Sequence, residues 1–315
     1  MRILVMGAGA TGGYFGGRLA EAGRDVTFLV RAGRAEQLRR SGLHIKSPHG
    51  DLVLQPRLVT AGALNRPFDA VLLAVKAIAL EDALADLAPA VGPATMIVPF
   101  LNGMRHVEAL VGRFGERAVL GGVCVVATML DADGRVVQLG DMQELAYGER
   151  DGTMSERVLA LDAELQNAGF KAQATDTIVL RMWEKWVLLA AVGGVTCLMR
   201  GTVGEVEAAP GGTEFALALL AECIAVATAA GFVPREPFVK TAKGMLTAHG
   251  SGFASSMFRD MGVGAPIEAD QIISDLLARA RRLGVRTPLL AIANAHLAVY
   301  QNRIGSERAK ATAAS

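Results

Sequence analysis

MRILVMGAGATGGYFGGRLAEAGRDVTFLVRAGR, residues 1–34, is the stretch that decides the fold of this chain. A short apolar run over 2–6 predicts a buried parallel strand, because strands covered on both faces are almost continuously hydrophobic. A glycine turn follows, then a predicted helix over 11–22 and a second predicted strand over 25–30. This order of strand, helix and strand is typical of a βαβ unit.

The glycine turn GAGATG fits the pattern G-x-G-x-x-G. In that pattern Gly7 allows the tight turn, Gly9 admits a pyrophosphate close to the backbone, and Gly12 lets the helix approach the strand. The N-terminus of the helix would direct free N–H groups at the phosphates. We therefore expect a dinucleotide to be bound by Gly7, Gly9, Ala10, Thr11 and Gly12. The alternative is a glycine-rich turn that binds nothing.

The end of the second predicted strand indicates which dinucleotide is bound. NAD sites place Asp or Glu there, whose carboxylate accepts a hydrogen bond from the ribose 2′-OH. This chain has Arg31 directly after the strand and Arg34 one short loop later. Guanidinium groups suit a 2′-phosphate, so the sequence favours NADPH/NADP+ over NAD. The alternative is that both arginines are solvated loop charges.

The composition is that of a globular protein with a large core. The chain has 315 residues, enough for two domains, and 51% of them are hydrophobic. Its 32 basic and 31 acidic residues give a net charge of +1, which offers no electrostatic footprint for nucleic acid. The longest uncharged apolar run, 186–199, is too short to span a bilayer, and the opening strand does not resemble a signal peptide. We therefore expect a cytoplasmic protein that binds neither nucleic acid nor membrane.

Cysteine and histidine spacing predicts no metal site. Cys124, Cys197 and Cys223 are far apart and odd in number, which fits small buried side chains in a reducing compartment. The five histidines form no H-x-H or H-E-x-x-H pair. The sequence does not decide the oligomeric state, and a homodimer is one of the alternatives.

Strand and helix patterns alternate as far as residue 175, after which only helical patterns remain. Buried strands are predicted over 68–75 and 96–101, with antiparallel strands between 118 and 147. The sequence therefore predicts an α/β fold with a Rossmann-type domain over 1–175 and an all-α domain over 176–315. Predicted helices of the second domain cover 177–192, 213–230, 235–248, 266–283 and 288–303, and Gly305 to Ser315 are expected to be frayed.

Two polar residues follow the strands at which open α/β sheets bind their ligands. Lys76 follows the strand FDAVLLAV, where it could meet a cofactor phosphate or ribose; the alternative is a solvated loop lysine. Asn102 follows the strand MIVPFL and precedes Gly103. Its amide can both donate and accept, as a nicotinamide or a substrate hydroxyl requires, and the alternative is an ordinary Asn-Gly turn.

Lys185 lies between Trp183 and Trp186 on a helix that is apolar nearly all round. Ile178, Met182, Leu189 and Val192 form a narrow stripe on this helix at helical spacing. An amine in such a stripe is costly unless it snorkels, pairs or lines a cleft. A lysine in a partly desolvated cleft is suited to proton transfer, while snorkelling to solvent is the alternative.

A second candidate stretch is SSMFRDMGVGAPIEADQII. Pro266 is predicted as the first residue of a helix, with Glu268 in the first turn and Ile272, Leu276, Ala280 and Leu283 on the buried stripe. Capping and the helix dipole alone would favour a Glu there, so its function is left open. Ser255 and Ser256 could bind a carboxylate or could be ordinary loop serines.

Four ordered motifs together resemble the ketopantoate reductases (2-dehydropantoate 2-reductases) over nearly the whole chain. They are GAGATGG from Gly7, LNG at 101–103, MWEKW at 182–186, and SSMFRD at 255–260 followed by IEAD. The resemblance implies an N-terminal Rossmann domain and a C-terminal domain like that of 6-phosphogluconate dehydrogenase, with the active site in the cleft between them. It also implies reduction of 2-dehydropantoate by NADPH to pantoate, a step toward pantothenate and coenzyme A.

The same resemblance implies roles for individual residues. Lys185 matches the catalytic lysine, Glu268 the glutamate that helps to hold the substrate, and Asn102 the asparagine near nicotinamide and substrate. The remaining matches are Ser256 and Asp260 on the substrate side, and Arg31 and Lys76 at the adenosine phosphate end of the cofactor.

The sequence departs from the family pattern on the substrate side. Leu189, Gly193 and Phe253 stand where the family usually has asparagines. Each lost hydrogen bond to substrate is worth about 1 kcal/mol or more. One alternative is therefore a paralogous NADPH-dependent reductase of another 2-oxo acid. An alternative of a different class is a non-catalytic NADP-binding sensor.

Overall fold

The computed structural model describes residues 1–313, and side chains as far as residue 308. The strands of that range are β1 Arg2–Met6, β2 Asp25–Leu29, β3 Leu43–Lys46, β4 Leu52–Leu54, β5 Arg57–Val59, β6 Ala70–Leu73, β7 Met96–Pro99, β8 Gly121–Leu130, β9 Val136–Gly148 and β10 Lys171–Ala174. Its α-helices are α1 Ala10–Glu21, α2 Ala32–Ser41, α3 Leu80–Leu87, α4 Arg105–Phe114, α5 Glu156–Leu165, α6 Ile178–Met199, α7 Val203–Glu207, α8 Gly212–Ala229, α9 Glu236–Leu246, α10 Ser256–Gly262, α11 Asp275–Arg282 and α12 Pro288–Ala313. A π-helical segment, Asp270–Ser274, directly precedes α11.

The chain forms two compact units. The first unit is Met1–Leu101 with His106–Val179, and the second unit is Asn102–Arg105 with Leu180–Ser315. The division falls inside α6, a few residues after the predicted domain boundary at 175, which stays a prediction. The short stretch 102–105 therefore belongs with the helical unit although it lies far from it in sequence.

The first unit is built on a parallel five-stranded sheet with the order β5-β2-β1-β6-β7. The central strand β1 is buried because Ile3, Leu4 and Val5 are completely covered. After β1 the chain continues to β2 on one side, and β6 lies on the other side. In open α/β sheets the crevice at such a reversal of strand order is the place where ligands bind.

A second, mixed sheet completes the first unit. Its path is β10-β9-β3-β4, and β8 pairs antiparallel with β9. The hairpin between β8 and β9 is closed by Asp131, whose carboxylate accepts hydrogen bonds from the backbone N–H groups of Asp133 and Arg135. The antiparallel strands predicted between 118 and 147 are β8 and β9, and β9 continues without interruption over Val136–Gly148.

The predicted α/β class with a helical C-terminal part is confirmed. Several short elements were absent from the sequence prediction, namely β5, α4, α7 and α10. Two helices are longer than predicted: α6 extends to Met199 and α12 to Ala313. The expectation of a frayed end from Gly305 is therefore wrong as far as residue 313, and residues 314–315 lie outside the described part.

The helical unit is organised around α8, which packs against α7, α9, α11 and α12. By length and composition alone, α8 could cross a membrane, as core helices of water-soluble proteins also can. One of its two charged residues, Glu222, has an internal role. The carboxylate accepts hydrogen bonds from the backbone N–H groups of Leu289 and Leu290, in the first turn of α12. N–H groups in the first turn of a helix have no acceptor within the helix, and Glu222 supplies one for these two.

Candidate active site

The glycine turn between β1 and α1 has two different kinds of glycine. A Cβ built on Gly12 would overlap the carbonyl oxygen of Gly7, so the close approach of helix and strand requires a glycine there. A Cβ built on Gly9 would meet no heavy atom within 4 Å. The protein's own packing therefore does not explain Gly9, whereas the approach of a ligand to its backbone would.

The N-terminus of α1 fits a dinucleotide pyrophosphate. Gly9 is the N-cap residue, no side chain caps the helix, and the first turn has no acidic residue. Ala10 and Thr11 begin the helix, so that their N–H groups belong to its first turn, which has no preceding helical carbonyl groups to bind. Such free donors at the positive end of a helix bind phosphate groups.

The two arginines after β2 have different environments. Arg31 is 77% exposed, and its guanidinium lies 3.7 Å from the carboxylate of Asp82. The side chain of Arg34 contacts the glycine turn, because its Nε donates a hydrogen bond of 3.0 Å to the carbonyl of Ala8. Its Nη1 donates a second hydrogen bond, also of 3.0 Å, to the carbonyl of Gly134 in the β8–β9 hairpin. Partial burial lowers the pKa of Arg34. Arg31 is thus an exposed cation just after β2, and its binding of a 2′-phosphate stays a prediction, whereas Arg34 is hydrogen-bonded to the glycine turn.

Lys76 is exposed just beyond the end of β6, where it precedes a short 3-10 turn, Ala77–Ala79. It lies in the same unit as the glycine turn. This position agrees with either reading of the residue, as a phosphate ligand or as a solvated lysine.

Asn102 and Glu268 come together in the second unit. The amide Nδ2 of Asn102 lies 3.4 Å from Oε2 of Glu268, although 166 positions separate them in the chain. Gly103 follows in a left-handed conformation, φ +74°, and a Cβ on it would overlap the carbonyl oxygen of Gln271. The Asn-Gly turn thus lies directly on the segment that carries Glu268.

The helix after Glu268 differs from the prediction. Pro266 precedes the helix instead of beginning it, and the first regular turn is the π segment 270–274. Of the predicted buried stripe, Ile272, Leu276 and Ala280 are buried, whereas Leu283 is 43% exposed. Leu283 differs because α11 ends at Arg282, so that Leu283 is the C-cap residue and no longer part of the helix.

Lys185 is half-buried in α6, and its neighbours in sequence, Trp183 and Trp186, have buried rings that contact each other. The two ring centroids are 5.0 Å apart. The preceding residue, Glu184, is buried and forms an ion pair with Arg235. Neighbours on both sides therefore hold this turn of α6 firmly in place.

The two adjacent serines have separate roles. Ser255 is buried and caps α10, because its Oγ accepts from the N–H of Phe258 at 3.1 Å and lies 2.9 Å from the hydroxyl of Thr196. Ser256 is exposed and begins α10, and Asp260 is half-buried one turn later. Of the two serines, only Ser256 has an exposed side chain, and its binding of a ligand stays a prediction. The capping role of Ser255 has a sequence signal, since serine is a preferred N-cap residue.

Apolar groups follow Lys185 along α6. Leu189 lies one turn later and is half-buried, and Gly193 lies two turns later. A Cβ on Gly193 would overlap the terminal methyl of Met257, so this buried side chain occupies the space beside Gly193. Phe253 is 40% exposed. Sequence reasoning missed the contact of Met257 with Gly193.

The three cysteines are buried, as expected. The thiol of Cys197 lies 3.8 Å from Oγ of Ser255, and burial raises its pKa to about 11. A thiol with such a pKa stays protonated at neutral pH, as is typical of a buried structural cysteine.

Comparison with known proteins decides the family. Residues 3–152 match the family profile "Ketopantoate reductase PanE/ApbA", and residues 177–301 match "Ketopantoate reductase PanE/ApbA C terminal". The chain belongs to the ketopantoate reductase family. Its members are oxidoreductases that act on CH–OH donors, and this chain is a dinucleotide-binding oxidoreductase of that class.

Individual relatives cover almost the whole chain. The uncharacterized oxidoreductase YkpB of Bacillus subtilis is 36% identical over 302 residues, covering 96% of this chain and 99% of YkpB. A 2-dehydropantoate 2-reductase of Archaeoglobus fulgidus is 30% identical over 288 residues, covering 90% and 92%. The crystal structure of 2-dehydropantoate 2-reductase from Methylococcus capsulatus has a TM-score of 0.86 at 28% identity, covering 96% and 98%.

Proposed function

We propose that this ketopantoate reductase family member uses NADPH to reduce the ketone of 2-dehydropantoate, giving pantoate on the route to pantothenate and coenzyme A. The observation that carries the proposal is the pairing of Asn102 with Glu268 at 3.4 Å, in the same unit as the half-buried Lys185. An amide, a carboxylate and an ammonium group together can hold and protonate a hydroxylated 2-oxo acid. Relatives named 2-dehydropantoate 2-reductase support the choice of substrate.

Lys185 is the proposed proton donor. When bound, the reduced nicotinamide supplies a hydride to the ketone carbon. Negative charge then grows on the ketone oxygen, and the ammonium group of Lys185 stabilises it and transfers a proton to it. The products are the alcohol and the oxidised dinucleotide, and solvent reprotonates the lysine.

The other polar residues are proposed to orient the substrate. Asn102 positions the carbonyl group, and Glu268 accepts a hydrogen bond from a substrate hydroxyl. The exposed hydroxyl of Ser256 binds the carboxylate, and Asp260 lies one turn further along α10. At the other end of the cofactor, Gly7 to Gly12 hold the pyrophosphate, while Arg31 and Lys76 hold the adenosine phosphates.

Turnover tests the proposal directly. We expect the purified protein to oxidise NADPH when 2-dehydropantoate is added. The rate of NADPH oxidation should exceed the rate of NADH oxidation under the same conditions. The Lys185→Ala variant should lose about 10²–10⁴-fold in kcat with little change in the Kd of NADPH, because proton transfer contributes that much to rate. Near-normal turnover in that variant would remove Lys185 from the mechanism.

A second candidate is the reduction of another 2-oxo acid with a less polar side chain. The observation in its favour is the apolar lining that follows Lys185, where Leu189 is half-buried and Met257 fills the space at Gly193. A panel of 2-oxo acids, with and without a hydroxyl group, distinguishes the two. A kcat/KM higher for an apolar 2-oxo acid than for 2-dehydropantoate would select the second candidate.

A further inference from the structure

The π segment 270–274 lies directly after Glu268 and starts the helix that continues as α11. The carbonyl of Glu268 accepts hydrogen bonds from the N–H groups of both Gln271 and Ile272, each at 3.2 Å. Short π segments are rare and recur at functional sites. A π turn contains one residue more than an α turn. We therefore expect contacts from outside the helix to stabilise the π segment.

Two consecutive carbonyl groups of the π segment have neighbours outside the helix. The carbonyl oxygen of Gln271 lies against Gly103, so closely that a Cβ at residue 103 would overlap it. The carbonyl oxygen of Ile272 accepts a hydrogen bond of 2.9 Å from the indole Nε1 of Trp186. Further along, Oγ of Ser274 donates to Oδ1 of Asn294 on α12 at 2.7 Å.

These contacts connect the π segment to three residues of the proposed reaction, Asn102, Glu268 and Lys185. Asn102 immediately precedes Gly103 and contacts the carboxylate of Glu268. Trp186 immediately follows Lys185 on α6. The Trp186–Ile272 hydrogen bond therefore joins the helix of Lys185 to the helix that follows Glu268, next to the Asn102 turn.

We propose that Trp186 is a positioning residue, whose indole N–H holds the π segment in register and thereby places the Glu268 carboxylate beside Asn102. This inference rests on the proposed function. Trp186 is 1% exposed, and a buried indole N–H needs an acceptor. Without this bond the segment gains from relaxing toward an α turn. Loss of one residue from a turn rotates the preceding side chains by about 100° about the helix axis.

The sharpest test replaces Trp186 with Phe, which keeps an aromatic ring and removes the N–H group. Trp183→Phe is the matched control, because that ring belongs to the same buried cluster and stacks on Phe232. We expect Trp186→Phe to lower kcat by roughly 10- to 100-fold, the cost of misplacing a catalytic group by about 1 Å, with the Kd of NADPH unchanged. Trp183→Phe should lower thermal stability by a similar amount and kcat by less than about threefold.

A double-mutant cycle with Glu268→Gln separates positioning from a general structural role. If Trp186 acts through Glu268, its replacement should cost little further kcat once the carboxylate is gone. The same loss in both backgrounds would overturn the inference, and so would equal kcat values for the Trp186→Phe and Trp183→Phe variants.

A crystal structure of the Trp186→Phe variant decides the matter even if the proposed function fails. Absence of turnover with every 2-oxo acid would refute the proposed function alone. Conversion of residues 270–274 to α-helix, with Asn102 and Glu268 moved apart, would support the positioning role in either case. An unchanged π segment would overturn it.

Discussion

The glycine turn of the first unit and the Lys185–Glu268 region of the second unit are assembled in different ways. The turn lies within a few consecutive residues, and each glycine acts through its immediate neighbours. The second region draws on residues from four separate places in the chain, at 102, 185, 256 and 268, and residues 102 and 268 are in contact. Its geometry depends on a π segment and on hydrogen bonds between helices. The difference teaches that a local motif carries its own geometry in the sequence, whereas a dispersed site receives its geometry from tertiary contacts.

The largest expected effect comes from Gly12→Ala, with Gly9→Ala as its matched partner. A Cβ at residue 12 would overlap the backbone at Gly7, so we expect a loss of several kcal/mol in the free energy of unfolding, or no folded protein. A Cβ at residue 9 has open space and its backbone is extended, φ −80°, so the Gly9→Ala variant should fold normally.

The contrast is in cofactor binding. Gly9→Ala should weaken NADPH binding by roughly tenfold or more, because the methyl group occupies the approach of the pyrophosphate. Thermal unfolding and a fluorescence titration with NADPH measure both quantities. Unchanged affinity in a folded Gly9→Ala variant would contradict the assignment of the turn to the pyrophosphate.

The sequence predicts the local glycine turn better than it predicts the dispersed second region. β1, the glycine turn and α1 follow from a hydrophobic run, three glycines and a helix period, all within 21 residues, and they occur where expected. By contrast, Pro266 was expected to begin a helix and does not, because the π segment shifts the start of the helix past Glu268. Nothing within residues 266–274 reveals that the indole group of Trp186 stabilises that segment.

Arg34 shows the same limit on a smaller scale. Two arginines after β2 looked equally available to a 2′-phosphate. Only the folded chain brings Gly134, a hundred positions away, within hydrogen-bonding distance of Arg34. The residue types of the candidate site could be predicted from the sequence. The hydrogen-bond partners of some of these residues, such as Gly134 for Arg34, could not.

Gly103→Ala tests the dispersed site as Gly12→Ala tests the local turn. The new Cβ would overlap the carbonyl of Gln271, and φ at this position is +74°, which disfavours any side chain. We expect the Asn102 turn to move off the π segment and kcat to fall by roughly 10- to 100-fold. Because the glycine turn belongs to the other unit, the Kd of NADPH should change little. Steady-state kinetics with an NADPH titration measures both; normal kcat would show that the contact with Gln271 is dispensable.

Arg31→Ala should have a moderate effect confined to the cofactor. If its guanidinium binds the 2′-phosphate, the KM of NADPH should rise by roughly tenfold, the value of one charge-assisted hydrogen bond, while that of NADH stays unchanged. Asp82→Asn is the complementary variant, because this carboxylate lies 3.7 Å from Arg31 and competes with a phosphate for it. It should lower the KM of NADPH slightly. Equal changes for NADPH and NADH would contradict a role of Arg31 in recognising the 2′-phosphate.

The smallest effect concerns the stability of the first unit alone. Arg157 binds the carboxylate of Glu149 with two hydrogen bonds of 2.6 Å, and Ser155 donates a third. Partial burial by itself would raise the pKa of Glu149, but the bonds from Arg157 and Ser155 outweigh it, so that the pKa is lowered. A carboxylate with a lowered pKa stabilises the fold fully above its unfolded pKa of about 4.3, and this stabilisation is lost as the pH falls below that value.

Glu149→Gln should therefore lower the free energy of unfolding of the first unit by about 1–3 kcal/mol at pH 7, and by progressively less as the pH falls below about 4.3. Both tryptophans of the chain, Trp183 and Trp186, lie in the second unit. Tryptophan fluorescence thus reports unfolding of the helical unit, while circular dichroism reports both. If the two units unfold separately, the Glu149→Gln transition should shift in circular dichroism and not in fluorescence. A shift of equal size in both signals would show that the two units unfold as one. The two units would then differ in how their candidate sites are assembled and not in their stability.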